Sequence, residues 1–536
     1  MKLASFVAAL LLLHAATTRA AVPAARARAL GPGLGLAGSS NTTRDGGAGA
    51  QITVSQKLLD YIVAKVTPLV EAQVLSLPLP PLSGAKDGVH YEVTNVKLSH
   101  FAVGAPTLSF PGSGTALDVD LAGIQVGGTA DYQYKTAAGI VKGSGVATFS
   151  VAGASRVAAD LRISLDAASH KPRFALANVR VAIDQLQVKL QAGVVAWLAD
   201  LIVKWFRSTI QQHIDTGVSQ ALEDNVPARL NALVAGLTLT LPLPLPSPYN
   251  VASADFSMET LAGASDHLSV GTRGAVVDTR KPQNDFPGSP PPLRPTSAGE
   301  FGAHHVTLLV SPFFLNSAAW VFGKNGLLKY LLDPSDVPNA FLRWLETQAI
   351  KLVAPGIGKQ WPSAKQLAIG VAVNMDASHA PTASVSGGAL VLGVPAELDF
   401  YALVPQAGGG GPPDREPAFS LECPLSAALT PSLTRAGSGS GGGGTAVALA
   451  LGAVSCSPLT LKHSDVGDVR LVGVLGKLVN EAMKVAAGIV NKKMGKAALP
   501  LPTISGVSLT NVGLALANGA VQVTTDIDWN ANGTAW

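Results

Sequence analysis

Residues 190–245 read LQAGVVAWLADLIVKWFRSTIQQHIDTGVSQALEDNVPARLNALVAGLTLTLPLPL. In this stretch Val194, Leu198, Leu201 and Trp205, then Ile210, Ile214, Val218 and Leu222, recur three or four apart, the period of one helix face. From Ala192 to Asn225 such a helix reaches about 50 Å at about 1.5 Å per residue, well beyond an ordinary globular helix. Asp200, Lys204 and Arg207 stand in its middle, which a bilayer-spanning helix does not tolerate. The apolar face must therefore be covered by protein or by a ligand. Strand-like sequence on both sides supplies the cover, and the local expectation is a long helix wrapped by a curved antiparallel sheet.

Working outward, Tyr91 to Leu190 reads as strands separated by Gly-rich turns. Alternation is clean at Val179, Val181 and Ile183 and again at Leu186, Val188 and Leu190, with a phase slip between the two runs that predicts a β-bulge. Before these strands Leu59, Val63, Val66, Val70 and Val74 form a helical stripe bent at Pro68, and Thr53 and Gln56 have the spacing of a capping box. Leu-Pro-Leu-Pro closes that helix at 77–80, and the same tetrad at 241–244 returns the chain from the long helix to extended structure.

The second half repeats this order. A strand from His305 to Val310 leads into a helix with Ser311 and Pro312 at its start and Phe313, Phe314, Trp320 and Val321 on it. Strands follow, then a second long helix over about Val469 to Met494 carrying Leu471, Leu475, Leu478, Ala482, Val485 and Ile489, and Leu499-Pro500-Leu501-Pro502 closes it. Order of elements rather than residue identity predicts a duplicated architecture. Between the halves Lys281 to Pro295 is a semi-rigid proline-rich linker. The expected units are 1–20, 21–50, 51–280, 281–297 and 298–536.

Met1 to Ala20 has a lysine, an apolar run and small residues before Ala20, the pattern of a secretory leader. Residues 21–50 are low in complexity and expected to lack order; their Gly33, Gly35 and Gly38 match a nucleotide-loop spacing without the strand and helix that would give it meaning. Asn41 and Asn532 head glycosylation sequons. The chain carries 39 basic and 35 acidic residues, only 14% of it is charged and 47% is hydrophobic, which disfavours nucleic acid as a partner and favours apolar burial. Its two cysteines, Cys423 and Cys456, flank a glycine-rich tip at Gly437 to Gly444 and are expected to bridge paired strands in an oxidising compartment. No elbow, zinc or phosphate-loop motif is present, so no catalytic residue, metal or cofactor is expected. His304 and His305, alternating at the head of a strand, are expected on opposite faces and so not as a ligand pair.

Three pieces carry a resemblance: Val54-Ser-Gln-Lys-Leu-Leu-Asp-Tyr61, Ser311-Pro-Phe-Phe-Leu-Asn-Ser-Ala318 and Leu461-Lys-His-Ser-Asp-Val-Gly467. With them the chain after residue 50 resembles the family of bactericidal/permeability-increasing protein, lipopolysaccharide-binding protein and the plasma lipid-transfer proteins. The resemblance implies an α+β boomerang of two similar barrels, each a curved antiparallel sheet wrapped around a long helix, joined by a central sheet. It implies a secreted monomer holding phospholipid in apolar tunnels and meeting a membrane or lipid-particle surface transiently. Val63, Val66, Val70, Val194, Leu198, Leu201, Trp205, Phe313, Phe314, Trp320, Leu475 and Leu478 are then the lipid-contact candidates, although helical apolar stripes of this kind are ordinarily plain core. Lipopolysaccharide binding in defence is the alternative, with Lys135, Lys142, Lys171 and Arg173 as the candidate basic tip, and an extracellular structural glycoprotein is a third. Two departures stand out. No cysteine precedes Cys423, and 85–180 holds nine basic against seven acidic residues, where the lipopolysaccharide binders concentrate positive charge.

Overall fold

The structure is a computed structural model. It describes residues 47–75, 81–191, 237–292, 303–334, 351–373, 379–406, 411–435, 445–470, 498–500 and 507–529 with short omissions inside these runs, Phe301 and Glu346, and separate positions along 203–235 and 475–491. In chain order β1 (Ala50–Ser55) runs into α1 (Gln56–Leu75). Then come β2 (Leu82–Lys86), β3 (Val89–Ser109), β4 (Ala116–Thr136), β5 (Lys142–Val151), β6 (Arg156–Leu165), β7 (Pro172–Ala182) and β8 (Leu186–Leu190). After β8 come β9 (Thr240–Pro242), β10 (Ala252–Asp255), β11 (Met258–Gly263), β12 (His267–Thr272) and β13 (Ala275–Asp278). The second half has β14 (Val306–Val310), α2 (Phe313–Lys324), β15 (Lys329–Leu332), α3 (Gly356–Gln360), β16 (Gln366–Ala372), β17 (Thr382–Ser386) and β18 (Ala389–Val404). It continues with β19 (Asp414–Arg435), β20 (Thr445–Cys456), β21 (Thr460–Ser464), β22 (Ala498–Pro500), β23 (Val507–Ala517) and β24 (Ala520–Trp529).

The halves meet in a six-stranded sheet of order β11-β12-β1-β14-β24-β23, three strands from each half, arranged as a palindrome. Ile52 of β1 lies between Val270 of β12 and Leu308 of β14, and all six residues of β1 are buried because both its edges and both its faces are covered. The symmetry reaches single hydrogen bonds. Ser55 N–H donates to His305 O at 3.1 Å and Ser311 N–H to Gly49 O at 2.9 Å, so Val54-Ser55 and Val310-Ser311 are the same turn from strand to helix made twice. Each serine hydroxyl donates across the seam as well, to His304 O and to Gly49 O, both at 2.8 Å. The helix starts therefore differ from the sequence expectation. Thr53 stays inside β1, sharing a bond with Ser269 Oγ at 3.1 Å, and it is Ser55 Oγ that accepts the Leu58 N–H. Ser311 does not cap α2, whose N-cap is Pro312 without a side-chain bond.

Each barrel sheet branches in the same way. β4 pairs with β3 on one edge and divides the other, 126–135 going to β5 and 116–122 to β6. β19 pairs with β18 and gives 425–435 to β20 and 419–422 to β21. Three of the bulges are built alike. Asn95, Asn178 and Asn511 have φ of 51°, 53° and 50°, the left-handed conformation an asparagine tolerates, and each precedes a valine. Their amides donate to Asp131, Asp160 and Asp526 across the ladder at 2.7, 2.5 and 2.9 Å. The phase slip before Leu186 is not one of these bulges. β7 ends at Ala182, paired with β6, and β8 pairs with β5 instead, so the slip marks a change of partner strand. Ser155 holds the crossing by accepting Asp184 N–H at 2.9 Å.

The segment after β13 is fastened rather than free. Asp278 accepts bonds from Arg280 N, Lys281 N and the Asn325 amide, at 2.9, 3.0 and 2.7 Å. Burial would raise its carboxyl pKa, but those bonds hold it below the usual carboxylate value. Phe286 is seated against Phe313 and Trp320, with ring centroids 5.6 and 5.7 Å away. Gly47 to Ala50, placed in the low-complexity leader by sequence, are part of the fold: Ala48 N–H donates to Pro291 O at 2.6 Å.

Candidate apolar tunnels and charged tip

The interior of the first barrel has two apolar clusters. Near the central sheet, Leu58, Leu59 and Ile62 of α1 pack on Leu108, Leu117, Leu161, Ile163 and Phe174 of the sheet and on Val226, Leu230 and Val234. Helical residues continue as far as Ala235, ten past the end expected at Asn225, and these last three share one face. Asn231 docks this segment on β7: its Oδ1 accepts Phe174 N–H at 2.8 Å and its Nδ2 donates to Phe174 O at 2.9 Å. Toward the far end, Val89, Val93, Tyr132, Tyr134, Phe149, Leu186 and Val188 line the inner face, with Val203 of the long helix packed against them. Here tyrosines lie over glycines of the next strand. A Cβ at Gly143 or Gly145 would come within 2.6 or 2.7 Å of the Tyr134 or Tyr132 hydroxyl. Tyr132 is 3% exposed, and its hydroxyl has no hydrogen-bond partner among the described residues. Burial raises its pKa, with a smaller contribution from Tyr134.

The second barrel's core gathers Leu398, Phe400, Phe419 and Leu421 of the sheet, Val353 and Ile357 at α3, and Leu475, Val479 and Met483 four apart on the second helix. Of the expected stripe, Leu475 lies on this face, and Leu471, Leu478, Ala482, Val485 and Ile489 lie outside the described residues. Asn491 repeats the Asn231 dock, bonding Leu451 N–H and O at 2.8 and 2.6 Å. Cys423 and Cys456 are joined, both buried in this core, with Cα atoms 5.4 Å apart. They are not direct partners: Cys456 faces Leu425, and a register shift between Ala427 and Leu429 offsets the hairpin.

Of the lipid-contact candidates, Val63 is half-buried against the first core. The side chains of Val66 and Val70, and Val194, Leu198, Leu201, Trp205 and Leu478 altogether, lie outside the described residues, as do Asn41 and Asn532. Phe313, Phe314 and Trp320 are covered by protein. Phe313 packs with Ala275, Val277 and Phe286, Phe314 stacks on Phe256 at 6.3 Å, and Trp320 packs with Val373 and Ala396. This helix is only twelve residues long and buries Phe313, Ser317, Ala319, Trp320 and Val321.

The four candidate tip cations do not form one tip. Lys135 and Lys142 are register partners in the β4–β5 hairpin, both exposed, and its turn projects Ile140, 84% exposed. Lys171 and Arg173 flank the β6–β7 turn beyond Ala116, the other end of β4, about 60 Å away along the strand. There Lys171 Nζ donates to Ala235 O at 2.5 Å. Side chains that look alike in sequence are separated because β6 returns along the near half of β4 only. Sequence reasoning missed Ile140, Tyr132, Asn231 and Asn491. An isoleucine in a glycine turn and an asparagine inside an apolar helical run were the available signals.

Residues 249–427 match the LBP / BPI / CETP family, C-terminal domain. The chain is 22% identical to bactericidal permeability-increasing protein of Rattus norvegicus over 465 residues, covering 85% of this chain and 89% of that one. It is 23% identical to lipopolysaccharide-binding protein of Mus musculus over 380 residues, 70% and 73% of the two chains. The crystal structure of lipopolysaccharide binding protein superposes with a TM-score of 0.53 at 19% identity, over 90% of this chain and 99% of that chain, and so shares its fold.

Proposed function

We propose that this member of the LBP / BPI / CETP family is a secreted lipid carrier that encloses phospholipid acyl chains between helix and sheet in each barrel, performs no catalysis, and touches membranes or lipid particles only in passing. The observation that carries this reading is the length of one apolar face. Buried residues run along β4 from Leu117 in the core near the central sheet to Ala130, Tyr132 and Tyr134 in the second cluster, about 55 to 60 Å of strand. Each acyl CH₂ moved from water onto such a face gains about 0.8 kcal/mol, enough to outweigh ordering of the lipid. The buried Tyr132 hydroxyl supplies a donor to a lipid ester or hydroxyl oxygen within that face.

A second reading is supported by the Lys135–Lys142 pair beside exposed Ile140: lipopolysaccharide or another anionic lipid surface, met by this end. The relatives named for bactericidal action and lipopolysaccharide binding point the same way. Lipid extraction and native mass spectrometry of the secreted protein test the first reading, with phospholipid copurifying; a bare chain with filled barrels would leave an extracellular structural role. Lipopolysaccharide titration at low and high salt tests the second. Lys86 of the β2–β3 hairpin joins Lys135 and Lys142 at this end, and with so few cations binding should weaken as salt rises, since exposed charges are screened over about 8 Å at physiological ionic strength.

A further inference from the structure

The seam between the halves contains a titratable group whose protonation state is fixed by geometry. His305 is 6% exposed, and its Nδ1 accepts the Ile527 N–H of β24 at 2.9 Å. Accepting that bond requires a lone pair, so the ring is neutral and its proton sits on Nε2, which lies 4.0 Å from Asp526 Oδ1. Asp526 also accepts the His305 N–H at 3.0 Å and the Asn511 amide at 2.9 Å. From α1, Lys57 Nζ stands 3.3 Å from Asp526 and donates to Ala303 O at 2.7 Å. Tyr61, also of α1, packs its ring 5.0 Å from His305 and donates its hydroxyl to Asp528 at 3.2 Å. His304 completes the group, its Nδ1 3.9 Å from Asp526 Oδ2. Sequence alternation would have sent the two histidines to opposite faces, but β14 begins only at Val306, and both approach one carboxylate.

We propose that His305 is an acid-released latch between the two halves. A second proton on the ring turns Nδ1 from acceptor to donor and sets it against the Ile527 N–H. The buried ring must then swing out or β24 must leave β14, and with it the contacts that seat α1 on the seam. Burial lowers the His305 pKa below its usual value; Asp526 opposes this and Lys57 reinforces it. The sign follows from that depression. The stabilisation is complete above about pH 6.5 and is lost as pH falls through the lower folded value. If the barrels carry lipid, as proposed above, α1 is a wall of the first, and acid would favour release.

Hydrogen exchange of the full chain, corrected for intrinsic rates and followed by mass spectrometry from about pH 7.5 to about pH 5, tests the latch. Peptides covering 303–310 and 520–529 should lose protection by up to about ten-fold per pH unit as pH falls from about 6.5 toward the folded pKa and level off below it, while β18 peptides do not. His305→Asn places an amide oxygen near Nδ1 that cannot take the proton, so its seam should stay protected throughout; His304→Asn should respond like the native chain. A flat profile in the native chain, loss that is uniform over seam and β18, or an unchanged response in His305→Asn overturns the latch. If His305→Asn does not fold, the contrast between seam and β18 in the native chain decides. Lipid content measured at both pH values separates the two proposals: no lipid at either value refutes the carrier, while the exchange result still stands for the latch.

Discussion

Asn231 and Asn491 should be the residues by which each long helix is held to its barrel, and their loss can be sized from the structure. Each amide makes both backbone bonds of one strand residue, Phe174 at 2.8 and 2.9 Å and Leu451 at 2.8 and 2.6 Å, in the manner of a missing strand. Two net hydrogen bonds are worth about 1 kcal/mol each, so Asn231→Ala should cost about 2 kcal/mol. Asn231→Asp is the sharper test. It keeps the acceptor for Phe174 N–H but turns a carboxylate oxygen toward Phe174 O, so above neutrality it should destabilise more than alanine. In acid the carboxyl takes a proton, donates it to that carbonyl, and part of the loss should return. This is the sign expected of a carboxyl whose folded pKa is raised: the penalty is present at high pH and fades as pH falls through the folded value. Urea titration at several pH values, with exchange of peptides covering 226–237 to localise the opening, gives the readout. A loss below about 0.5 kcal/mol for Asn231→Ala, or an aspartate no more harmful at high pH than at low, would refute the docking argument.

Removing the Cys423–Cys456 bridge as a double alanine variant should cost about 3 to 4 kcal/mol in the chain-entropy account, given the sequence separation of 33; thermal or urea unfolding checks it, and a change under about 1 kcal/mol would contradict it. Ile140→Ser, at a side chain 84% exposed, should leave stability unchanged and lower affinity for anionic vesicles several-fold in flotation assays, and Lys135→Ala with Lys142→Ala should reduce the salt dependence of that binding. Lys171→Ala should leave vesicle binding unaltered, because Lys171 stands at the opposite end of β4.

Periodicity and punctuation placed the first helix and the strands that follow it, while β1 was read as the start of that helix. The helical stripe before residue 75, the alternation through β3 to β8 and the repeated order of helix, strands and helix are local properties, and backbone sterics with apolar spacing express them directly. The cysteine pairing was legible too, since a glycine-rich tip almost centres the two residues, although the bulge that offsets them was not. What the sequence withheld depends on partners distant in the chain. Leu186 changes sheet position because β5, not β6, offers an open edge; Ser55 and Ser311 serve the seam because each meets the other half there. Phe313 and Trp320 resemble ligand-facing aromatics in one dimension, yet a linker phenylalanine covers them in three. Lys135 and Lys171 carry the same charge within forty residues, and only the return path of β6 puts them at opposite ends. Local spacing determines which face of an element is apolar; what that face meets is decided by long-range pairing, whose energy comes from contacts that no window of sequence contains.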